Sequence, residues 1–143
     1  MSDGDIEVIR EQYEATNRRE FRRVMGMYAD DVILRVPHAE GVPSPGTYRG
    51  KEAVGDWFGD WFSTFEPGYS FEIEEIRDIG GGLIFMFATH GGRGRLSGAE
   101  VRGETGYLYR VRDGKIAEVG FFETPAVALE AASLPEWSES KTD

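Results

Sequence analysis

The chain has 143 residues, enough for one domain with its own hydrophobic core and too few for two comfortable ones. It has no cysteine, which excludes thiol catalysis, disulfide frameworks and thiolate metal sites together. Its 26 acidic and 16 basic side chains give a formal charge of −10, which repels phosphate backbones and anionic lipid, so neither nucleic acid nor a membrane is expected as partner.

The opening "MSDGDIEVIREQ" lacks the basic-then-apolar pattern of a secretory signal, and no stretch approaches the roughly 18 apolar residues that cross a bilayer. A soluble, cytoplasmic protein is therefore expected. From Asp5 to about Asn17, Ile6, Ile9, Tyr13 and Thr16 fall at i, i+3, i+7 and i+10, which predicts an amphipathic helix capped by Ser2 or Asp3. "REFRRVMGMYADD" reads as a second short helix with Phe21, Val24, Met25 and Tyr28 on one face, closing at Asp30 and Asp31. "VILRVP" is β-branched and stops at a proline, so it predicts a short strand, and "HAEGVPSPGTYRG" predicts a loop.

The third helix, about Lys51 to Phe65, carries the strongest pattern in the chain. Trp57, Phe58, Trp61, Phe62 and Phe65 join Val54 in a wide apolar stripe, with Glu52, Asp56 and Asp60 opposite. "EPG" breaks it, and a long β region follows. Tyr69, Phe71, Ile73 and, after a one-residue slip, Ile76 predict a first strand; "GGGLIFMFATH" predicts a central strand buried on both sides, with an irregular glycine-rich exit in "GGRGRLSG". "RDGK" places an Asp-Gly turn between two alternating runs, the signature of a β-hairpin. A short helix is expected from Pro125 to about Leu134, and residues 135–143, "PEWSESKTD", are expected to form a loose polar tail after a single domain spanning 1–134. The fold class is α+β, with helices on one face of a mostly antiparallel sheet.

Three stretches, "VIREQYEATNRREFRRVMGMYADDVILRVP", "GTYRGKEAVGDWF" and "GYLYRVRDGKIAEVGFFETPAVALEAASL", resemble in order and spacing the SnoaL-like branch of the nuclear-transport-factor-2-like, or ketosteroid-isomerase-like, superfamily. The resemblance covers about Val8 to Leu134. It implies a cone in which a curved, mostly antiparallel sheet wraps around three N-terminal helices, with a short C-terminal helix and an apolar pocket inside. It also implies a homodimer through the outer sheet face. Members include isomerases, epoxide hydrolases, dehydratases, polyketide cyclases and proteins with no catalytic role, so the fold alone does not choose among them.

Carried over residue by residue, the resemblance puts the isomerase base at Val36 and its acid at about Tyr107. Its first-helix tyrosine falls at about Gln12, with Tyr13 beside it. The water-activating carboxylate of the epoxide hydrolases falls at about Phe121. Neither valine nor phenylalanine moves a proton, which leaves Glu123, two residues past Phe121, as a candidate acid. The two histidines, His38 after Pro37 and His90 at the end of "LIFMFAT", titrate near neutrality and are candidate acid–base groups. They have no metal-ligand spacing, and no metal or other cofactor is expected. Tyr107 and Tyr109 share one strand face, so the Tyr107 hydroxyl is a candidate donor to a ligand carbonyl. Arg93 and Arg95 either hold a ligand carboxylate or pair with nearby acids.

The expected site therefore has His38, His90 and Tyr107 as catalytic candidates and Tyr13, Val36, Trp57, Trp61, Phe121 and Glu123 around the pocket. The expected partner is a small, mostly apolar organic molecule of polyketide- or terpenoid-like character. Two readings stay open: cofactor-free acid–base chemistry of the isomerase, cyclase or hydrolase type, and a non-catalytic binding or dimerisation module. A cone filled by its own Phe121, Phe122 and tryptophans would favour neither ligand reading.

Overall fold

A computed structural model describes residues 2–37 and 44–138. Helices α1 (Ser2–Asn17) and α2 (Phe21–Gly26) lead into strand β1 (Tyr28–Val36), and β2 (Gly46–Arg49) leads into α3 (Lys51–Ser63). Four strands follow, β3 (Ser70–Gly80), β4 (Leu83–Arg93), β5 (Glu100–Arg112) and β6 (Lys115–Phe122), then α4 (Pro125–Ala131) and α5 (Pro135–Ser138). The strands form one sheet in the order β2-β1-β6-β5-β4-β3. Among the described residues only β1 and β6 run parallel; the other neighbours are antiparallel.

Local chemistry accounts for much of this. Arg112 pairs with Lys115 across a turn in which Asp113 (φ 54°) and Gly114 (φ 76°) are both left-handed, the two-residue turn whose twist suits a hairpin. The slip in the apolar pattern of β3 is a β-bulge: Ile73 faces Ala88 and Glu75 faces Phe87, so Glu74 is the extra residue. Thr124 caps α4 by accepting from the Val127 N–H at 3.1 Å.

Alternation along the central strands divides the interior in two. Ile84, Met86 and Ala88 of β4, with Tyr107 and Tyr109 of β5, face α1, α2 and α3 in the main core, where Val54 and Trp57 of α3 are also buried. Leu83, Phe85 and Leu108 point to the outer face and are covered by Ala128 and Ala131 of α4 and Trp137 of α5. Two glycines permit that cover. A Cβ on Gly106 would lie 2.7 Å from the Ala128 Cβ, and one on Gly120 would lie 2.6 Å from the Trp137 ring.

Several expectations are corrected here. α1 already begins at Ser2, so neither Ser2 nor Asp3 precedes it as a cap. α2 stops at Gly26 rather than at the acidic pair. Tyr28 fits the helical spacing, but its pairing with Ile116 draws it into β1. Gly46–Arg49, expected in a loop, pairs with β1 as an edge strand. Phe65 lies beyond α3, bridged to Gly94 and stacked on Tyr69 at 4.0 Å.

The expectation of a loose tail from Pro135 also fails over Pro135–Ser138, because Trp137 is buried (1% exposed). Its ring lies under the Arg35 guanidinium, 5.7 Å from carbon to centroid, and its carbonyl accepts from Arg110 Nη2. Arg35 and Arg110 both pair with Glu118, which is itself buried, at 3.3 and 2.9 Å. An ion-pair network from three strands thus reaches the residue Trp137, Arg35 at its ring and Arg110 at its carbonyl, an arrangement that composition alone does not show. Among the described residues no helix is long and apolar enough to cross a membrane.

Candidate functional site

The aromatic stripe of α3 meets the inner face of the sheet. Trp57 and Trp61, one turn apart, stack at 5.8 Å with planes 12° from parallel. Phe121 of β6 lies against both, at 5.8 Å from Trp57 and 5.6 Å from Trp61, and edge-on to Tyr107 of β5 at 5.6 Å. Tyr13 of α1 completes the contact with Tyr107 at 5.9 Å. These five rings, with Gln12, Thr16, Met25, Tyr28 and others, line a partly enclosed cavity of about 40 Å³. That is room for a water or two, well short of the 150 Å³ or so that accepts a benzene ring, so a ring-sized ligand fits only if the walls move; Phe122, expected as a filler, faces the outer cluster instead.

Both indoles are satisfied within the chain. Trp57 Nε1 donates to the Ser44 carbonyl at 3.2 Å, and Trp61 Nε1 donates to the Tyr69 hydroxyl at 3.1 Å. The Tyr69 hydroxyl is in turn 2.7 Å from His90 Nδ1. An indole N–H can only donate, so the Tyr69 oxygen accepts there and its proton is free for His90 Nδ1. In the tautomer that accepts this proton at Nδ1, neutral His90 carries its own on Nε2. Burial also holds its pKa below the ordinary value, which favours that neutral form.

The tyrosines are neutral as well. Burial pushes Tyr107 up to about 12, although its hydrogen bonds with Thr105 and Tyr13 pull the other way. Tyr13 and Tyr109, whose hydroxyls bond to each other, are raised further, chiefly by burial, and Tyr28 is raised by burial too. No carboxylate, histidine, lysine or arginine is among the described residues that line the cavity.

Two surface grooves flank it. One, of about 500 Å³ between α2 and α3, shares Met25, Phe58 and Phe62 with the cavity, so these three side chains stand between the two spaces. The other, of about 540 Å³, runs over the ends of β3, β4 and β5 past His90 and Arg102, and shares Phe71 with the cavity. Neither groove follows from periodicity, since each is made by elements distant in sequence.

A family model described as a SnoaL-like domain matches residues 9–119. The chain belongs to this SnoaL-like family. Solved structures with the same fold include a candidate SnoaL-like polyketide cyclase from Jannaschia sp. CCS1, with TM-score 0.73, 17% identity and coverage of 93% of this chain and 94% of that one. An NTF2-like protein from Burkholderia thailandensis E264 has TM-score 0.71 and 21% identity, covering 90% of this chain and 96% of that one. TerC, co-crystallised with polyporic acid, has TM-score 0.72 and 19% identity, covering 89% of this chain and 96% of that one. At these identities the likeness shows the fold. No match was found among curated protein sequences.

Within this SnoaL-like domain the expected site residues separate. Tyr13, Trp57, Trp61, Tyr107 and Phe121 line the cavity together. Val36 is buried in the main core at the end of β1 and is not among the lining residues. His90 lies one ring away, 6.3 Å from Trp61 and 6.0 Å from Phe71 between centroids, and faces the second groove instead. Glu123 follows the end of β6, half-buried and outside the cavity lining, so the expectation that it reaches the pocket is not met. His38 lies outside the described residues.

Arg93 and Arg95 are committed to backbone. Arg93 donates to the Gly98 carbonyl at 3.0 Å, and Arg95 donates to the Ser63 and Phe65 carbonyls at 3.1 and 3.0 Å, closing the C-terminal end of α3. The lining residues that sequence reasoning passed over are chiefly Gln12, Thr16 and the separating trio of Met25, Phe58 and Phe62. Helical spacing placed Thr16, Met25, Phe58 and Phe62 on apolar faces. Nothing in it distinguished cavity wall from core.

Proposed function

We propose that this SnoaL-like domain is a binding protein for a small, mostly apolar, ring-bearing molecule, which enters the aromatic cavity from the α2–α3 groove as Met25, Phe58 and Phe62 move aside. The observation that carries this is the shared lining: a partly enclosed aromatic cavity of about 40 Å³ and an open groove of about 500 Å³ have those three side chains in common. Joined, the two spaces reach the range of about 300 to 1,000 Å³ typical of small-molecule sites. A polyketide- or terpenoid-like ligand exceeds the closed cavity and so requires that movement. Met25 suits a mobile wall, being unbranched, and it lies on Gly55, where even a Cβ would come within 3.4 Å of its methyl.

The described lining holds no carboxylate, histidine, lysine or arginine, and burial keeps its tyrosines Tyr13, Tyr28 and Tyr107 neutral, which favours binding over acid–base chemistry. The catalytic reading needs a proton carrier at the ligand, and His90 is separated from the cavity by Phe71 and Trp61.

The test is a titration of tryptophan emission with a panel of polycyclic ketones, terpenoid epoxides and aromatic polyketides. Saturable quenching is expected for at least one class. It is weakened in Trp57→Phe, lost when Trp61 is changed to phenylalanine as well, and kept in Trp137→Phe, because Trp137 lies on the opposite face of the sheet. No response to any class, or a response that follows Trp137, contradicts the proposal.

A further inference from the structure

Gln12 is 95% shielded (5% exposed) and lines the cavity, yet half of its amide is unused. Its Nε2 lies 3.0 Å from Thr16 Oγ1, and that hydroxyl lies 2.8 Å from the Gln12 backbone carbonyl. A hydroxyl has one hydrogen, and a carbonyl can only accept, so the Thr16 proton is spent on the backbone. What Thr16 presents to the side-chain amide is a lone pair, which only an N–H can meet. The flipped amide would set two acceptors 3.0 Å apart. Thr16 therefore fixes the orientation, and Gln12 Oε1, which is buried and has no hydrogen-bond partner among the described residues, is the group left over.

A buried amide oxygen left unmatched is costly, and a chain can retain one where something else arrives to satisfy it. The tyrosines around it do not: none of the hydroxyls of Tyr13, Tyr28 and Tyr107 hydrogen-bonds to it, and those of Tyr13 and Tyr109 bond to each other. Since the remaining walls are mostly carbon, this oxygen is the natural polar anchor for a ligand. It accepts only, which sets the sign of the complementary group.

We infer that the Gln12 Oε1 acceptor in the α1 wall of the aromatic cavity recognises a hydroxyl or N–H donor on an otherwise apolar ligand, and so selects alcohols, phenols or amines over the corresponding hydrocarbons. This inference rests on the proposal that the cavity binds a ring-bearing molecule. Thr16 acts through Gln12 as a positioning residue.

The test uses phenol and aniline as donors and toluene and fluorobenzene as non-donors of similar size, each titrated by tryptophan emission on the full chain and on Gln12→Leu. Hydrocarbons partition better into any apolar site, so the informative quantity is the change in the phenol-to-toluene affinity ratio between the two proteins. That ratio is expected to fall about tenfold or more in Gln12→Leu, with toluene binding kept or improved. Gln12→Met, of similar length and unbranched, gives the same readout should leucine not be accommodated. A ratio unchanged within about twofold while toluene still binds overturns the role of Gln12 and leaves the cavity proposal standing. No binding of any of the four by the parent protein overturns this inference and the cavity proposal for ring-sized ligands together.

Discussion

Replacing Phe121 by alanine removes the ring that touches Trp57, Trp61 and Tyr107 at once, and Phe121 is only 5% exposed. The lost ring adds roughly 100 Å³ to a cavity of about 40 Å³. At about 24 cal/mol per Å³ the enlarged void costs about 2.4 kcal/mol, and the lost transfer energy of the buried ring adds about 2 kcal/mol. The sum of about 4 kcal/mol falls inside the roughly 3 to 5 kcal/mol typical of buried phenylalanine truncations. The void left by the ring, joined to the existing cavity, approaches the size that takes up benzene. Urea unfolding of Phe121→Ala, with and without saturating benzene, measures both effects. A large loss of stability, partly recovered by benzene, is expected; the parent protein should gain less from the same benzene. A loss below about 1.5 kcal/mol would refute the claim that Phe121 packs as a buried wall of the cavity. A full loss with no benzene rescue would refute the claim that the walls hold their positions around the space.

Other outcomes follow from the outer face and from His90. Trp137→Ala is expected to lower stability by about 3 to 5 kcal/mol in denaturant titration, since it uncovers Phe85, Leu108 and Phe122 and removes the ring beneath Arg35; a loss below about 1 kcal/mol would mean that α5 is not docked. Glu118→Ala leaves Arg35 and Arg110 facing each other without their shared carboxylate, and about 3 to 5 kcal/mol should be lost by the same assay. A stabilised variant would contradict the pairing. His90 has its pKa lowered by burial from an ordinary 6.5, so the unfolded chain takes up its proton first as pH falls. Its neutral form supports the fold fully above about pH 6.5, and that support is lost as pH drops from there through the folded value. His90→Gln should flatten the acid side of the stability profile over that interval, and an identical profile would show that His90 is not shielded.

What was legible in the sequence had local causes. "RDGK" specifies its own turn, the slip before Ile76 marks the Glu74 bulge, and the stripe on α3 shows in the spacing of Trp57 and Trp61. What was missed depends on partners far along the chain. Tyr28 satisfies a helical pattern yet joins β1 because Ile116 pairs with it, and Gly46–Arg49 shows no alternation of its own and becomes a strand only against β1. Trp137 sits in a polar segment, and its burial is decided by the apolar face that Leu83, Phe85, Leu108 and Phe122 present from three different strands, with Arg35 over the ring.

The site divides in the same way. Tyr13, Trp57, Trp61, Tyr107 and Phe121 were found through periodicity and family resemblance, and they line one cavity. The unused oxygen of Gln12 emerges only when the geometry of Thr16 is known. The separating role of Met25, Phe58 and Phe62 likewise needs the grooves to be drawn.

The most direct test of ligand entrance through the α2–α3 seam is methyl NMR of the chain's four methionines during titration with toluene. A saturable shift or broadening of the Met25 methyl, with the exposed groove residue Phe21 unnecessary for binding when changed to alanine, is the predicted result. Saturation of tryptophan quenching while the Met25 methyl stays fixed would contradict the account, because the ligand would then bind without passing or displacing the wall assigned to it.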